Sequence, residues 1–414
     1  MVAARLTIDS IAAGGDGVGR ADGMAVFVPR TAPGDVVDTS LDVRGRFARG
    51  VLRTVIEPSA DRVSPVCRHY TRDRCGGCQL QHISYDAQLR AKSVIVRDAM
   101  QRIGKRSDVG DVPVVASPSP WAYRTKLTLA LRWTGNRWIA GLHPFDDPDG
   151  VFQLEECPIT DERVLAVWQS IFSAASLLPR TRRLRGAVRL TDDGASFVLE
   201  GGHSWPNAPM FGERVSALTS IWWQSDAGQT RLVVDRRAPR SSAGALAPDV
   251  SFVQVNSATA ELLRRHVVEK TLARQPAAVV DAYAGAGATA VAVAERGVRV
   301  TAIELDAAAA RWTGVHLPAG SRCVVGRVED EIGAALPADV VILNPPRIGV
   351  DERVTASLQA KPPRAIVYVS CNPATLARDV LRLPGFQIAS LTSFDMFPQT
   401  AHVETVCELV TEAA

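Results

Sequence analysis

The stretch Asp281-Ala-Tyr-Ala-Gly-Ala-Gly287 decides the fold, because its glycines join an apolar run to a helical pattern. Residues Ala277 to Asp281 predict a buried strand, and the pattern after Gly287 predicts a helix. Paired glycines let the backbone pass close to a bound nucleoside. Glu304 ends the next predicted strand, 23 residues after Asp281. This spacing fits one strand–helix–strand unit, and the Glu304 carboxylate can hold the two hydroxyls of a ribose.

The glycine turn departs from the dinucleotide-binding pattern Gly-x-Gly-x-x-Gly at its last position, where Ala290 stands. The last glycine of that pattern lets a helix pack closely on a strand beneath a pyrophosphate. Its absence favours S-adenosylmethionine, a methyl donor without phosphates, over a dinucleotide. We therefore predict that Asp281, Gly285, Gly287 and Glu304 bind S-adenosylmethionine.

The whole C-terminal part, residues 250–414, alternates strand and helix patterns as a mostly parallel, doubly wound sheet requires. We predict a Rossmann-like α/β methyltransferase domain there. Its fourth strand leads into Asn344-Pro-Pro-Arg347, whose prolines fix an extended turn. Enzymes that methylate base amino groups carry an aromatic residue after these prolines. Arginine stands at this position here, as Arg347, so methylation of a base amino group is only the alternative reaction. The remaining strands are predicted at Val298–Ile303, Cys323–Val325, Val340–Leu343, Arg364–Val369, Ile388–Phe394 and Thr405–Val410.

Cys371 stands where the predicted strand Arg364–Val369 opens into a loop, in Ser370-Cys-Asn-Pro373. A free cysteine is more often a small core residue, and we assign that role to Cys323 and Cys407. For Cys371, the glycine turn, the Asn-Pro-Pro turn and the acidic Glu404 favour a nucleophile instead.

Length and composition bound the remaining possibilities. A chain of 414 residues with 46% apolar and 22% charged residues is typical of a soluble globular protein with two or three domains. It has no apolar run of about 18 residues and no signal peptide pattern, so we expect a cytoplasmic protein that does not bind membranes. We also expect a monomer. Residues 62–106 hold ten Lys and Arg against three Asp, an excess that suits a phosphate backbone.

Short Val- and Leu-rich runs separated by glycine turns fill residues 1–58 and predict a small β-barrel, similar to an OB-fold. These runs are Arg5–Ile8, Met24–Val28, Val36–Val43 and Val51–Ile56. The glycine-rich stretch Gly14–Gly19 opens no helix and is therefore not predicted to bind phosphate.

Residues 59–249 form a predicted mixed α+β central domain with a cysteine cluster. Cys67, Cys75 and Cys78, with Cys157 as the fourth ligand, can hold one metal centre, and zinc and iron–sulfur remain equally open. Ser84 is predicted to cap a helix that runs to Ile103. Basic and aromatic residues alternate between Trp121 and Trp133, as in proteins that bind single-stranded RNA or in a strand with a basic outer face.

Three blocks near the C-terminus resemble those of the RNA 5-methyluridine methyltransferase family, in the same order and at matching intervals. They are Asn344-Pro-Pro-Arg-Ile-Gly349, Ile366-Val-Tyr-Val-Ser-Cys-Asn-Pro-Ala-Thr375 and Phe394-Asp-Met-Phe-Pro-Gln-Thr-Ala-His-Val-Glu404. The barrel resembles a TRAM domain, and the four cysteines resemble those that hold a [4Fe–4S] cluster in the branch acting on 23S rRNA. The resemblance implies RNA as partner, with ribosomal RNA favoured over transfer RNA. It also implies that Gln254, Tyr283 and Asn344 bind S-adenosylmethionine.

The chemistry of such a reaction explains why these residue types are needed. Carbon 5 of uracil is too weak a nucleophile to attack a sulfonium, so a thiolate must first add to carbon 6. We predict that Cys371, with a lowered pKa, is this nucleophile. Glu404 is the predicted base for the carbon 5 proton, with His402 and Gln399 orienting it or the uracil.

Two alternative hypotheses place the protein in other functional classes. One is an RNA-binding protein whose methyltransferase fold no longer reacts; the presence of Cys371, Glu304 and Glu404 argues against it. The other is a zinc-dependent RNA-binding protein, which metal analysis would identify.

Overall fold

The computed structural model describes residues 2–237 and 254–411. The predicted loop Ser241-Ser242-Ala243-Gly244 and the predicted domain boundary at residues 249 and 250 lie outside these ranges. In the described ranges, no helix has both the length and the apolar character needed to cross a membrane.

The N-terminal part forms a closed five-stranded barrel with the strand order β1-β2-β3-β5-β4, as predicted. Its core contains Leu6, Ile8, Val26, Val28 and Val37, which alternate with exposed residues along the strands. The glycine-rich stretch leads into a strand rather than a helix, which agrees with the absence of a phosphate loop. The strands are β1 (Val2–Ile11), β2 (Gly17–Ala21), β3 (Met24–Val28), β4 (Val36–Arg44) and β5 (Phe47–Glu57).

The middle of the chain builds a six-stranded sheet in the order β12-β11-β10-β9-β7-β8. The second helix begins at Ser84, whose hydroxyl accepts a hydrogen bond from the Ala87 N–H, as predicted. The elements are α1 (Arg68–Thr71), α2 (Tyr85–Arg102), β6 (Val114–Val115), β7 (Lys126–Trp133), β8 (Trp138–Gly141), α3 (Glu162–Ser173), a 3-10 turn (Ala175–Leu177), β9 (Arg183–Thr191), β10 (Gly194–Glu200), α4 (Ala208–Arg214), β11 (Leu218–Gln224) and β12 (Thr230–Asp235).

The C-terminal part is the predicted Rossmann-like domain, with all seven predicted strands present. They pair in the order β15-β14-β13-β16-β17-β19-β18, and β6 extends the sheet beside β18. The elements are α5 (Ser257–Leu272), β13 (Ala278–Ala282), α6 (Ala288–Ala294), β14 (Arg299–Glu304), α7 (Ala307–His316), β15 (Arg322–Val325), α8 (Val328–Ala335), β16 (Val340–Leu343), α9 (Glu352–Ala360), β17 (Ala365–Ser370), α10 (Pro373–Leu381), β18 (Phe386–Phe394) and β19 (Glu404–Thr411).

Helix α2 packs against this C-terminal sheet rather than only against its sequence neighbours. Its buried residues Val96 and Met100 share one core with Leu376 and Ala377 of α10. The segment that follows the first three cysteines is therefore built into the wall of the α/β domain, close to the end of β17.

Candidate active site

Cys371 and Glu404 face each other across two neighbouring antiparallel strands. The ladder between β17 and β19 pairs Ser370 with Thr405. Cys371 follows the first of these residues and Glu404 precedes the second, so the two lie opposite each other where the ladder ends. Asn372 then caps α10 by accepting a hydrogen bond from the Ala374 N–H at 3.1 Å, which fixes the loop around the thiol. The structure thus brings together the two predicted catalytic residues.

The Glu404 carboxyl group is almost completely enclosed, with 4% of the residue exposed. Burial raises its pKa to about 7, and the nearby positive charge of Arg347 opposes the rise. A carboxylate with a pKa near neutrality is well suited to accept a proton, because it is basic enough to take the proton and its conjugate acid is acidic enough to release it again.

The Cys371 thiol has a raised pKa, so the predicted lowering is wrong for this arrangement. Partial burial raises it first, and the negative charge of Glu404 raises it further. Arg347 acts in the opposite direction, through its charge and a hydrogen bond to the sulfur. The sequence revealed the neighbouring acid but not that the sheet would hold it against the thiol.

Arg347 is the functional residue that sequence reasoning missed. From the sequence, Arg347 served only to disfavour methylation of base amino groups, because an aromatic residue is absent at its position. Its guanidinium influences the titration of Cys371, Glu404 and His402, so it lies near the centre of the site. The rigid Asn-Pro-Pro turn that precedes it was the available signal, since such a turn directs the next residues into the cleft.

The predicted orienting residues differ in their surroundings. His402 as a whole residue is exposed, but neighbouring atoms surround part of its ring. This partial burial, together with the positive charges of Arg347, Lys92 and Arg124, lowers the pKa of His402. Gln399 is buried, and its side-chain oxygen accepts a hydrogen bond from Gln88 at 2.9 Å. His402 therefore borders the opening of the site, whereas Gln399 is part of its framework.

The residues 395–403, which we call the catalytic segment, are held by the region that follows the first three cysteines. The Gln79 and Leu80 N–H groups both donate to the Gln399 carbonyl, at 3.1 and 3.0 Å. Farther along, Lys92 forms a fully buried ion pair with Asp395 and donates to the Phe397 carbonyl at 3.1 Å.

The predicted cofactor residues line the carboxyl ends of β13, β14 and β16. Glu304 accepts hydrogen bonds from the Gly285 and Asp306 N–H groups, both at 2.7 Å. Gly285 has a left-handed backbone, with φ of 57°, and a Cβ there would meet no atom within 4 Å. This open space above a glycine, beside a carboxylate, fits the ribose and adenine of S-adenosylmethionine.

Two more cofactor candidates, Asn344 and Tyr283, follow strands at this edge of the sheet, and Asp281 lies in the strand that leads to the glycine turn. The exposed Asn344 follows β16, with its N–H donating to the Ala282 carbonyl at 3.3 Å, and the half-buried Tyr283 adopts φ of 64°. Gln254 precedes α5 and is half-buried. Asp281 differs, because it is 2% exposed and one of its oxygens has no partner. Burial raises the pKa of Asp281 to about 7, while a hydrogen bond from Ala290 opposes the rise.

The four predicted metal ligands converge on one cavity. Cys67, Cys75, Cys78 and Cys157 are each no more than 9% exposed and line a cavity of about 170 Å³. Burial raises the pKa of each thiol, to about 11 for Cys75. Within residues 2–237 and 254–411, no group of three or more His, Cys, Asp or Glu side chains is arranged to hold a metal ion.

Comparisons with known proteins agree with this geometry. Residues 327–411 match the family model described as tRNA (Uracil-5-)-methyltransferase. An uncharacterized RNA methyltransferase of Thermosynechococcus vestitus is 30% identical over 98% of this chain and 97% of its own. Another from Nostoc is 31% identical over 96% of this chain and 94% of its own.

A solved structure shows the same fold over almost the whole length. It is the Pyrococcus abyssi tRNA (uracil-54, C5)-methyltransferase in complex with S-adenosyl-L-homocysteine, with a TM-score of 0.73. The alignment covers 98% of this chain and 99% of that chain at 24% identity. From the full-length relatives and the family model, we conclude that the chain belongs to the RNA 5-methyluridine methyltransferase family.

Proposed function

We propose that this enzyme converts a uridine of RNA to 5-methyluridine, with Cys371 as nucleophile and Glu404 as base. The observation that carries the proposal is the opposition of these two residues where β17 and β19 end. A methyl transfer to oxygen or nitrogen needs no cysteine, because those atoms have lone pairs that attack a sulfonium directly. A thiol paired with a buried carboxyl group is the equipment for methylating a ring carbon.

The reaction begins when the Cys371 sulfur, as thiolate, forms a bond to carbon 6 of the uracil. The electron pair of the carbon 5–carbon 6 double bond moves towards carbon 5 and the ring carbonyl, giving an enolate. S-adenosylmethionine, when bound, supplies the methyl group as an electrophilic sulfonium. Once carbon 5 carries the methyl group, Glu404 removes its proton. That electron pair re-forms the double bond and expels the Cys371 thiolate.

Arg347 supports this cycle through its charge. Its guanidinium lies near both the thiol and the carboxyl group, so it favours the thiolate that attacks and the carboxylate that accepts the proton. Glu304, Gly285, Tyr283, Asn344 and Gln254 would bind the methyl donor around the open carboxyl ends of the sheet. Asp281, buried under the turn, would hold the loop in shape.

We propose a [4Fe–4S] cluster for the cysteine cavity, with zinc as the alternative. The four cysteines resemble the set that holds such a cluster in the ribosomal branch, and all four line one buried cavity. Cys67, Cys75, Cys78 and Cys157 would hold it and join the two halves of the central domain. Iron and sulfide are the expected contents of anaerobically purified protein; stoichiometric zinc would contradict the assignment.

Covalent trapping tests the proposed chemistry. RNA that carries 5-fluorouridine has no proton for Glu404 to remove after methyl transfer, so we expect a stable protein–RNA adduct when S-adenosylmethionine is present. The Cys371→Ala variant should form none, whereas Cys407→Ala, which removes a buried strand cysteine, should still trap RNA. An adduct with Cys371→Ala would refute the assigned nucleophile.

Ribosomal RNA is our first choice of substrate, because the barrel and the cysteine set resemble the ribosomal branch. The names of the matched family model and of the Pyrococcus structure contain tRNA, which makes tRNA the alternative. Mapping 5-methyluridine in both RNAs from cells with and without the gene decides between them. Loss of the base from tRNA alone would overturn the first choice.

A further inference from the structure

The outer face of the six-stranded sheet carries a row of cations that the proposed chemistry does not use. Along β7, Leu127, Leu129 and Leu131 point into the core of the central domain. The alternating residues therefore point outwards, and they include Lys126 and Arg132, both half-buried.

Neighbouring strand β9 adds more positive charge at matching positions. The register pairs Lys126 with Arg189 and Arg132 with Arg183, so like charges stand directly opposite each other. Such pairs destabilise a sheet. Burial and the charges of Arg189 and Arg185 lower the pKa of Lys126. Like charges therefore stand side by side on this face, and a bound anion would relieve their repulsion.

Carboxylates of the protein neutralise this face only in part. In the part of the chain that the structure describes, neither Lys126 nor Arg132 forms an ion pair with a carboxylate. Arg185 pairs with Glu200 at 2.9 Å. Between the cations, small residues of β7 and β8 leave a hollow of about 280 Å³, bordered by Arg132, Arg185 and His143.

The row continues to the catalytic centre. Arg124 donates a hydrogen bond from its Nε to the Lys126 carbonyl at 2.9 Å. Its charge also contributes to the lowered pKa of His402. Arg347 acts on His402 and on Cys371 as well, so Arg124 is a positive side chain between the sheet and the catalytic centre.

We propose that this row, which we call the basic track, binds the phosphate backbone of the single-stranded RNA next to the target uridine. The inference rests on the proposed function, because it takes RNA as the substrate that enters at Cys371. A uridine that reaches a buried thiol must leave its stack, and its flanking phosphates then need a charged surface that leads away from the site. The basic track is such a surface, and its charge is complementary to RNA.

A paired-charge experiment tests the basic track. The double variant Lys126→Gln/Arg132→Gln is compared with Arg296→Gln/Arg299→Gln, which removes two exposed arginines at the amino end of β14. The Kd of a fluorescein-labelled single-stranded RNA is measured by anisotropy at several salt concentrations, without S-adenosylmethionine. Each lost phosphate contact should reduce the salt slope by about 0.7. The track variant should therefore lose about 1.4 of slope and bind about 25-fold more weakly near 0.1 M salt, with the control unchanged.

Folding and function are separated by two further measurements. Removing opposed like charges should leave the thermal midpoint unchanged or higher, whereas a structural role would lower it. Wild-type Kd and slope in the track variant would overturn the proposal even if trapping at Cys371 succeeds. If no adduct forms at Cys371 but the track variant still binds RNA more weakly than wild type, only the proposed reaction is overturned. Polyglutamate binding as tightly as RNA, with the same loss in the track variant, would overturn RNA as the occupant.

Discussion

Replacement of Glu404 by glutamine should make the protein more stable and stop its reaction at a defined step. Burial raises the pKa of this carboxyl group from 4.5 to about 7. At about 1.4 kcal/mol per pKa unit, keeping the group ionised costs about 3 kcal/mol of folding free energy. The amide of Glu404→Gln has nearly the same shape but no charge, so it avoids this cost.

The sign of the effect depends on pH. The folded protein holds the Glu404 proton more tightly than the unfolded chain does, so the contribution of this group to stability is largest below about pH 4.5 and is lost as pH rises through about 7. Glu404→Gln should therefore unfold at a higher temperature than wild type near pH 8, and at the same temperature near pH 4. Differential scanning calorimetry of both proteins at the two pH values measures this difference.

The chemical consequence is a trapped intermediate on ordinary RNA. Without a base, Cys371 can still add to carbon 6 and carbon 5 can still take the methyl group, but the carbon 5 proton stays. A covalent protein–RNA complex should accumulate on denaturing gels, while turnover falls by about 10²- to 10⁴-fold. Normal turnover by Glu404→Gln would refute its role as base. An unchanged stability difference between the two pH values would refute the buried, raised-pKa state.

Three further changes test other parts of the site. Lys92→Met leaves Asp395 buried without its partner and should lower the free energy of unfolding by about 3 to 5 kcal/mol, measured with denaturant. The double variant Lys92→Met/Asp395→Leu should recover most of this loss. No recovery would contradict the ion-pair explanation. Gly287→Ala puts a Cβ 2.4 Å from the Thr313 side chain and should destabilise the folded protein by about 1 to 3 kcal/mol. Gly285→Ala should mainly weaken S-adenosylmethionine binding, measured by calorimetry. Equal effects of the two variants on stability and on binding would argue against the open space at Gly285 as a cofactor site. Iodoacetamide should alkylate Cys371 at a higher pH than free cysteine, and faster in Glu404→Gln, because the negative charge that raises its pKa is gone; equal rates would show that the two groups do not interact.

The sequence predicted the α/β domain well because each strand from β13 to β17 is a compact apolar run followed by a helix. Strand β16, Val340–Leu343, is fully buried and was predicted to the residue. Several strands were not predicted individually, among them β9 to β12 of the central part and the short β2 and β6. β2 lies in the glycine-rich stretch, where close packing requires residues of low strand propensity; a Cβ at Gly17 would collide with Thr31. β6 has two residues, Val114 and Val115, and forms only because β18 offers its edge.

The candidate site could be named from sequence but not assembled. The distance in sequence between Cys371 and Glu404 says nothing about their separation in space, since β19 enters the sheet between β17 and β18. That insertion, and not either motif, puts the acid beside the thiol. Arg347 was missed for the same reason: its long side chain acts on residues of two other loops. Such relations depend on tertiary packing, which local patterns do not encode.

The raised pKa values of Cys371 and Glu404 indicate how the site avoids reacting before its substrates are present. The raised pKa of Cys371 keeps its thiol protonated at neutral pH, and a thiol reacts poorly with electrophiles. Each step of the reaction requires one of them to become negative. Positive charge favours that change, and Arg347 supplies only part of it, since both pKa values remain raised in its presence. S-adenosylmethionine, when bound, would bring a second positive charge into the site. The basic track would bring the uridine at the same time, so that the thiolate forms where an acceptor is in place.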